Sequence, residues 1–467
     1  MSELWRRSAI ELAEMIRGRE VSSREVLQAH LDRVDAVNPQ LNAVVRLLPE
    51  ALAAADAADR AVADGTGLGP LHGVPFTVKE NIDLAGTPTT QAVPALAEAV
   101  APVDAPQVER LRAAGAIPFG RTNLPDFGLR VHTDSALHGL TRNPWNPQRS
   151  AGGSSGGEAA ALATGMTPLG LGNDLGGSLR NPAHCCGVAS IKPSTGSVPG
   201  ATVIPPEDLP ISFQLMAVEG VMARRVADVR AGFTVVAGQH PRDPLSVPAA
   251  FADLAPGERP RVAVLAEPPG GSTHPEVAAA VRRAADALAD DGFEVAEAVP
   301  PAYEQAIELW ATILGVDLRL MQSELDQVMG SAGRQFLGYA LEHLPASDLA
   351  SWAVAHTARY GLAREWSLWY HQYPVLLSPV WSQPAFPLDF DIASLDGAIA
   401  TLELMRPVLP ANLLGTPAVV VPAGMAEGLP VGVQVMGGKY TELRCLGVAE
   451  AIERRLGPLT PIDPVTG

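Results

Sequence analysis

Apolar positions recur three and four apart through the N-terminal part of the chain, the spacing of helices that bury one face. Ser8 with Glu11, and Ser22 with Glu25, fit the capping-box spacing, so helices are expected to start after Ser8 and after Ser22. The second carries Val26, Leu27, His30, Leu31 and Val34 on its inner face. A third, from Pro49 to about Asp64, has proline near its start and stops at Gly65. The pattern then changes. Short apolar runs at Val74–Val78, Ala116–Gly120, Leu169–Gly172 and Val188–Ile191 read as strands, with helices over Pro106–Ala114 and Gly156–Thr164. Strands at Arg261–Leu265 and Phe293–Val299 flank a helix over Pro275–Asp290. Ala418–Val421 and Val431–Val435 precede a closing helix from about Glu442 to Leu456. Strands alternating with helices predict an α/β protein, a sheet with helices on its faces.

One stretch breaks the alternation. Residues 301–372 are helical in pattern throughout and hold four of the seven tryptophans, together with Tyr303, Tyr339, Tyr360 and Tyr370. Such a cluster fits either a helical core or the wall of an apolar pocket. The Pro/Gly-rich piece Pro193–Pro210 reads as a loop and not a linker, because strong patterns continue on both sides. No internal repeat or coiled coil is visible.

The chain has 467 residues, 47% of them hydrophobic and only 18% charged, so a large core is expected. A formal net charge of -17 argues against nucleic acid or an anionic membrane as a partner and otherwise serves solubility. Cys185, Cys186 and Cys445 do not make a disulfide framework, which suits a reducing cytoplasm. The start, Met1-Ser2-Glu3-Leu4-Trp5-Arg6-Arg7, lacks the apolar core of a signal peptide, and no uninterrupted apolar run is long enough to span a membrane. A cytoplasmic protein is expected.

Two glycine-serine stretches and one lysine carry the candidate chemistry. Ser178 follows Gly176-Gly177, where bare backbone N–H groups can face a developing oxyanion. A serine nucleophile needs a base. None of the ten histidines stands in a catalytic context, and the chain has only three lysines, Lys79, Lys192 and Lys439. Lys79 ends an apolar strand, where burial would lower its pKa and leave an amine able to accept a proton. Ser154, within Gly152-Gly153-Ser154-Ser155-Gly156-Gly157, can both donate and accept, and so can pass a proton between Ser178 and Lys79. Taken singly, each piece has a plainer reading: a flexible loop, a snorkelling lysine, a phosphate cradle. Gly152–Gly156 also matches the G-x-S-x-G elbow, but Asn143–Ser150 before it is loop where an elbow needs a strand. His184-Cys185-Cys186 are too close together to ligate one metal, and no dinucleotide, P-loop or H-E-x-x-H motif is present. Neither a metal nor a cofactor is expected.

The run from Gly152 to Ala183, through Gly172-Asn173-Asp174-Leu175-Gly176-Gly177-Ser178-Leu179-Arg180-Asn181-Pro182, closely resembles the signature of the amidase signature family. Leu71–Asn81 is similar to the family's lysine segment, and Asn38–Ala43 and Gly428–Gln434 are also similar, so the likeness spans most of the chain. It implies one large α/β/α domain, 1–467, around a central mixed twisted sheet, with a catalytic core at 65–215 and a variable helical pocket region at 301–372. It also implies a Ser-cisSer-Lys triad: Ser178 as nucleophile, Ser154, after a cis peptide bond, as relay, and Lys79 as base. The backbone N–H groups of Leu175, Gly176, Gly177 and Ser178 would form the oxyanion hole, with Ser155, Asp174 and Arg180 in support. Leu175 stands where the family often has threonine or isoleucine, and Glu80 where it often has aspartate.

The expected function is hydrolysis of a small apolar or aryl carboxamide through a seryl acyl-enzyme, with ester or carbamate side activity. The expected partner is the small amide itself, with a homodimer as an option. The rival readings are a component similar to the A subunit of a glutamine-dependent tRNA amidotransferase, and a non-catalytic binding protein on the same fold.

Overall fold

Both capping boxes form. Helices Ala9–Arg17 and Ser23–Leu41 start at Ser8 and Ser22, whose hydroxyls accept the backbone N–H of Glu11 and Glu25 while those glutamates accept the cap N–H in return. The third helix, Ala51–Asp64, ends at Gly65, whose φ of 66° is the left-handed conformation of a glycine C-cap. The computed structural model describes residues 3–66, 68–205, 208–248, 250–251 and 253–465.

The strands join in one mixed sheet of 11. Its order runs Val44–Leu47, Ile117–Thr122, Pro75–Lys79, Leu169–Asp174, Val218–Ala223, Ala189–Lys192, Ala418–Ala426, Leu429–Gly437, Val375–Pro379, Val262–Val264 and Val295–Glu297. The strand of Lys79 lies parallel to both neighbours, with Val78 opposite Leu171. The strand Leu169–Asp174 then pairs antiparallel with Val218–Ala223, setting Asn173 opposite Glu219.

Helices cover both faces, which is why the central strands are buried runs with no polar alternation. On one face, Gly232 of helix Val226–Val236 packs against Leu169 and Val221, and Cys445 of helix Glu442–Leu456 meets Gly437. On the other, Glu158 of helix Gly156–Ala163 meets Gly170, and His184 of helix Arg180–Cys186 meets Gly432. No helix of the described residues is long and apolar enough to cross a membrane, and the three cysteines are buried and unpaired.

Most elements fall where the periodicity places them. The strand Val218–Ala223 is not legible in the sequence because Gly220 interrupts its apolar run. That glycine is required by packing: a Cβ there would overlap the Ile191 carbonyl and the Leu179 side chain.

Gly170 is constrained in the same way. Buried Glu158 reaches under the sheet, accepting hydrogen bonds from Thr77 Oγ1 and, at 2.8 Å, from Thr122 Oγ1. It thus ties helix Gly156–Ala163 to the strands ending at Lys79 and Thr122. A Cβ on Gly170 would overlap its carboxylate. Gly170→Ala is expected to destabilise the protein by about 1–3 kcal/mol, the usual cost of overpacking. An unchanged urea midpoint would contradict that packing.

Candidate active site

The C-terminal ends of two adjacent parallel strands meet the turn into a helix. Lys79 is the last residue of the first strand and is fully buried. Its Nζ lies 2.7 Å from Ser154 Oγ and 2.6 Å from Asn173 Oδ1, on the second strand. Asn173 Nδ2 in turn donates to Asn81 Oδ1 at 3.1 Å. Burial lowers the Lys79 pKa to about 7, against the opposing pull of Glu219, Asp174 and Glu158. With that pKa about half of the amine is neutral near pH 7. With one N–H directed at Asn173, its lone pair is free for the Ser154 hydroxyl.

Ser154 follows a cis peptide bond from Gly153. Gly128 approaches so closely that a Cβ there would sit 3.1 Å from Ser154 Oγ. Ser155 is buried at the N-cap of helix Gly156–Ala163; its N–H donates to the Ser178 carbonyl at 3.2 Å. Its hydroxyl has no partner among the described residues.

Ser178 lies on the turn between strand Leu169–Asp174 and helix Arg180–Cys186. Ser154 and Ser178 line one cavity of about 530 Å³. Among the described residues no hydrogen bond joins their two hydroxyls, so of the two contacts that the expected Lys79–Ser154–Ser178 relay needs, one is formed and one is open. The turn is held from below. Asp174 Oδ1 accepts the Gly177 N–H at 2.8 Å and Oδ2 accepts the Leu179 N–H at 3.1 Å. Arg180 binds the same carboxylate in a fork, 3.0 Å through each nitrogen. Arg180 also reaches Val408 O, Gln434 Oε1 and Asn412 Oδ1. Burial alone would raise the Asp174 carboxyl, but the charges of Arg180 and Lys192 and the Asn412 amide hold it well below the ordinary carboxylate range.

This arrangement narrows the candidate oxyanion donors. The Gly177 N–H is engaged by Asp174, whereas those of Leu175, Gly176 and Ser178 take no partner among the described residues. Gly177 has φ 100°, and a Cβ on it would press on Val408 at 2.8 Å, so the turn admits only glycine there. Trp310 packs over Gly176 and donates to the Leu175 carbonyl at 3.2 Å.

The cavity wall includes Phe127, Leu129, Leu175, Phe213, Met321 and Leu325. Region 301–372 forms three helices, Tyr303–Val328, Ser331–His343 and Leu349–Gln372. It supplies Met321 and Leu325, but its aromatic rings pack elsewhere. Trp366 stacks on Tyr303 with centroids 6.2 Å apart and touches Trp369 and Tyr370. Tyr303, Trp310, Trp366 and Tyr370 are helical core and Tyr360 is exposed, so the pocket-wall reading of those aromatics is not observed; the rings facing the cavity are Phe127 and Phe213.

Several site residues carry no separate signal in the sequence. Asn81 and Asn173 lie inside the similar segments, but their place at Lys79 follows only from strand register. Glu219, Asn412 and Gln434 are distant in sequence and arrive through the sheet and its connections. No cluster able to hold a metal ion occurs among the described residues.

Arg180→Met would leave the Asp174 carboxylate buried and unpaired. A loss of about 3–5 kcal/mol in urea denaturation is expected near pH 7. The pair's contribution is present above the ordinary carboxylate pKa and declines as pH falls below it, because the folded state holds that carboxyl ionised. A variant as stable as the parent would contradict the turn's dependence on this pair.

The family model for Amidase matches residues 25–446. The chain is 42% identical over 462 residues to an indoleacetamide hydrolase of Bradyrhizobium diazoefficiens, covering 98% of this chain and 88% of that one. It is 34% identical over 497 residues to the A subunit of the glutamyl-tRNA(Gln) amidotransferase of Salinispora arenicola, covering 99% of each. Among solved structures, a 6-aminohexanoate cyclic dimer hydrolase complexed with substrate superposes with a TM-score of 0.83 at 30% identity, covering 97% of this chain and 98% of that one. The chain therefore belongs to the amidase family, the amidase signature enzymes, and is a hydrolase of C–N amide bonds.

Proposed function

We propose that the enzyme hydrolyses small apolar or aryl carboxamides through a seryl acyl-enzyme, with Ser178 as nucleophile, Ser154 as proton relay and Lys79 as base. The observation that carries this reading is the contact between the buried Lys79 amine and Ser154 Oγ, with both serines on one cavity wall. Neutral Lys79 takes the Ser154 proton as Ser154 takes that of Ser178, and Ser178 Oγ attacks the amide carbon. The N–H groups of Leu175, Gly176 and Ser178 receive the oxyanion. As the C–N bond breaks, Lys79 returns its proton through Ser154 to the leaving amine. Water, deprotonated by the same relay, then attacks the acyl-enzyme and releases the carboxylate. Esters and carbamates enter the same sequence with a different leaving group. The open link between the serines is one that catalytic sites often close only on binding substrate.

The aryl preference draws support from Phe127, Phe213, Met321 and Leu325 on the cavity wall, and from the 42% identity to an indoleacetamide hydrolase. Identity to the amidotransferase component is lower, at 34%, and that reading is not favoured. Residues 65–215 carry the whole triad as the catalytic core, and 301–372 borders the pocket. Three buried thiols suit a reducing cytoplasm as the place of reaction.

Ser178→Ala is expected to lower kcat on an arylacetamide more than about a thousandfold with the fold retained. Turnover near the parent value would exclude Ser178 as nucleophile. The base must be unprotonated, so kcat/KM should rise with pH through about 7, where Lys79 loses its proton, and level off above it. A profile peaking near pH 5 would exclude Lys79 as the base.

A further inference from the structure

Six charged residues line the cavity: Asp83, Asp174, Asp208, Glu219, Arg242 and Asp243. Five of them are otherwise engaged or peripheral. Asp174 is held by Arg180, Asn412 and two backbone N–H groups. Asp243 accepts the N–H of Gly200 and of Leu245. One oxygen of Asp83 takes Thr202 and Val203, and the other is sealed from the cavity. Arg242 donates to the Asp104 carbonyl at 2.6 Å and pairs with Glu109. Asp208 is exposed.

Glu219 is different. It sits at the start of its strand, opposite Asn173, the residue that holds Lys79. Gln107 Nε2 donates to its Oε2 at 3.0 Å and fixes the carboxyl in place. Oε1 takes no hydrogen bond among the described residues and is not sealed off. Gly200 lies close by, and even a Cβ built on it would leave 3.9 Å to Oε1. The result is an oriented acceptor, with one oxygen anchored and one free, in a cavity whose wall also carries Phe127, Phe213, Met321 and Leu325.

We infer that Glu219 is a specificity-determining residue, whose free oxygen accepts a hydrogen bond from an N–H donor on the aryl part of the substrate. This rests on the aryl-amide reading above. An acceptor held in a half-buried site discriminates by its unmade bond: a substrate without the donor desolvates the carboxyl and returns nothing. Burial raises the Glu219 carboxyl to about 7, against the opposing pull of Lys79 and of the nearby Asn173 and Gln107 amides, with Asp83 adding to the rise. A donor bound to Oε1 would favour its ionised form.

The test compares indole-3-acetamide with its oxygen isostere 1-benzofuran-3-acetamide, which lacks the N–H, on the parent, Glu219→Gln and Glu219→Leu. The parent should favour the indole by roughly tenfold in kcat/KM, the size of a hydrogen bond to a charged group. Glu219→Leu should erase the preference, and Glu219→Gln, which keeps an acceptor oxygen, should restore part of it. A residue acting only through Lys79 would lower kcat for both substrates alike and move the pH midpoint while leaving the ratio unchanged. That result overturns the inference. Calorimetric binding of the same pair to Ser178→Ala, with and without Glu219→Leu, gives a readout independent of turnover. If the parent hydrolyses neither amide, the substrate reading fails. A binding preference for the indole that depends on Glu219 would still uphold the inference, and equal binding or none would overturn it.

Discussion

An amine withheld from water at the end of a fully buried strand is the constraint around which this site is organised. Lys79 has no solvent to stabilise its charge, and the carboxylates near it offset that loss only in part. A pKa lowered to about 7 leaves a neutral fraction able to accept a proton, which the proposed role of Lys79 as base requires. The cost is borne by the sheet. Parallel neighbours on both sides and helices above and below keep the strand dry, and Glu158 locks the helix after Ser154 against the strands ending at Lys79 and Thr122.

The second half of the site solves a different problem. A turn that leaves several N–H groups without an internal partner needs rigidity from elsewhere. Asp174 and Arg180 supply it from beneath, with Asp174 taking the N–H groups of Gly177 and Leu179 and leaving those of Leu175, Gly176 and Ser178 without an internal partner among the described residues. Arg180 extends the support to Asn412 and Gln434, which bind the turn to distant parts of the chain. Because every group in this network is buried and partnered, losing one member strands another. The two serines that line the cavity are left less constrained. Ser154 has its lysine, and Ser178 awaits a partner.

The α/β class, most helices and strands and all three triad candidates were legible in the sequence. Capping boxes and apolar runs are local signals, and the glycine-serine stretches are contiguous motifs. What could not be read has a common physical origin. Gly220 looks like a strand breaker until Leu179 and Ile191 are seen to occupy its missing Cβ. Asn173 and Glu219 acquire meaning only from register across two strands of opposite direction. The Gly177 N–H looks as available as its neighbours until Asp174 is placed under it. The aromatic-rich helices suited a pocket as well as a core, and only the packing of Tyr303, Trp366 and Trp369 decides for core.

The protonation state of Lys79 can be observed directly. The chain has three lysines, so side-chain ¹⁵N labelling yields a spectrum simple enough to assign with Lys79→Met and Lys192→Met. Burial also lowers Lys192 to about 7, so both assignments are needed. The Lys79 Nζ signal should titrate with a midpoint near 7, coincident with the rise of kcat/KM. A Lys79 that remains protonated up to the ordinary lysine value of about 10.4 would contradict its role as the neutral base.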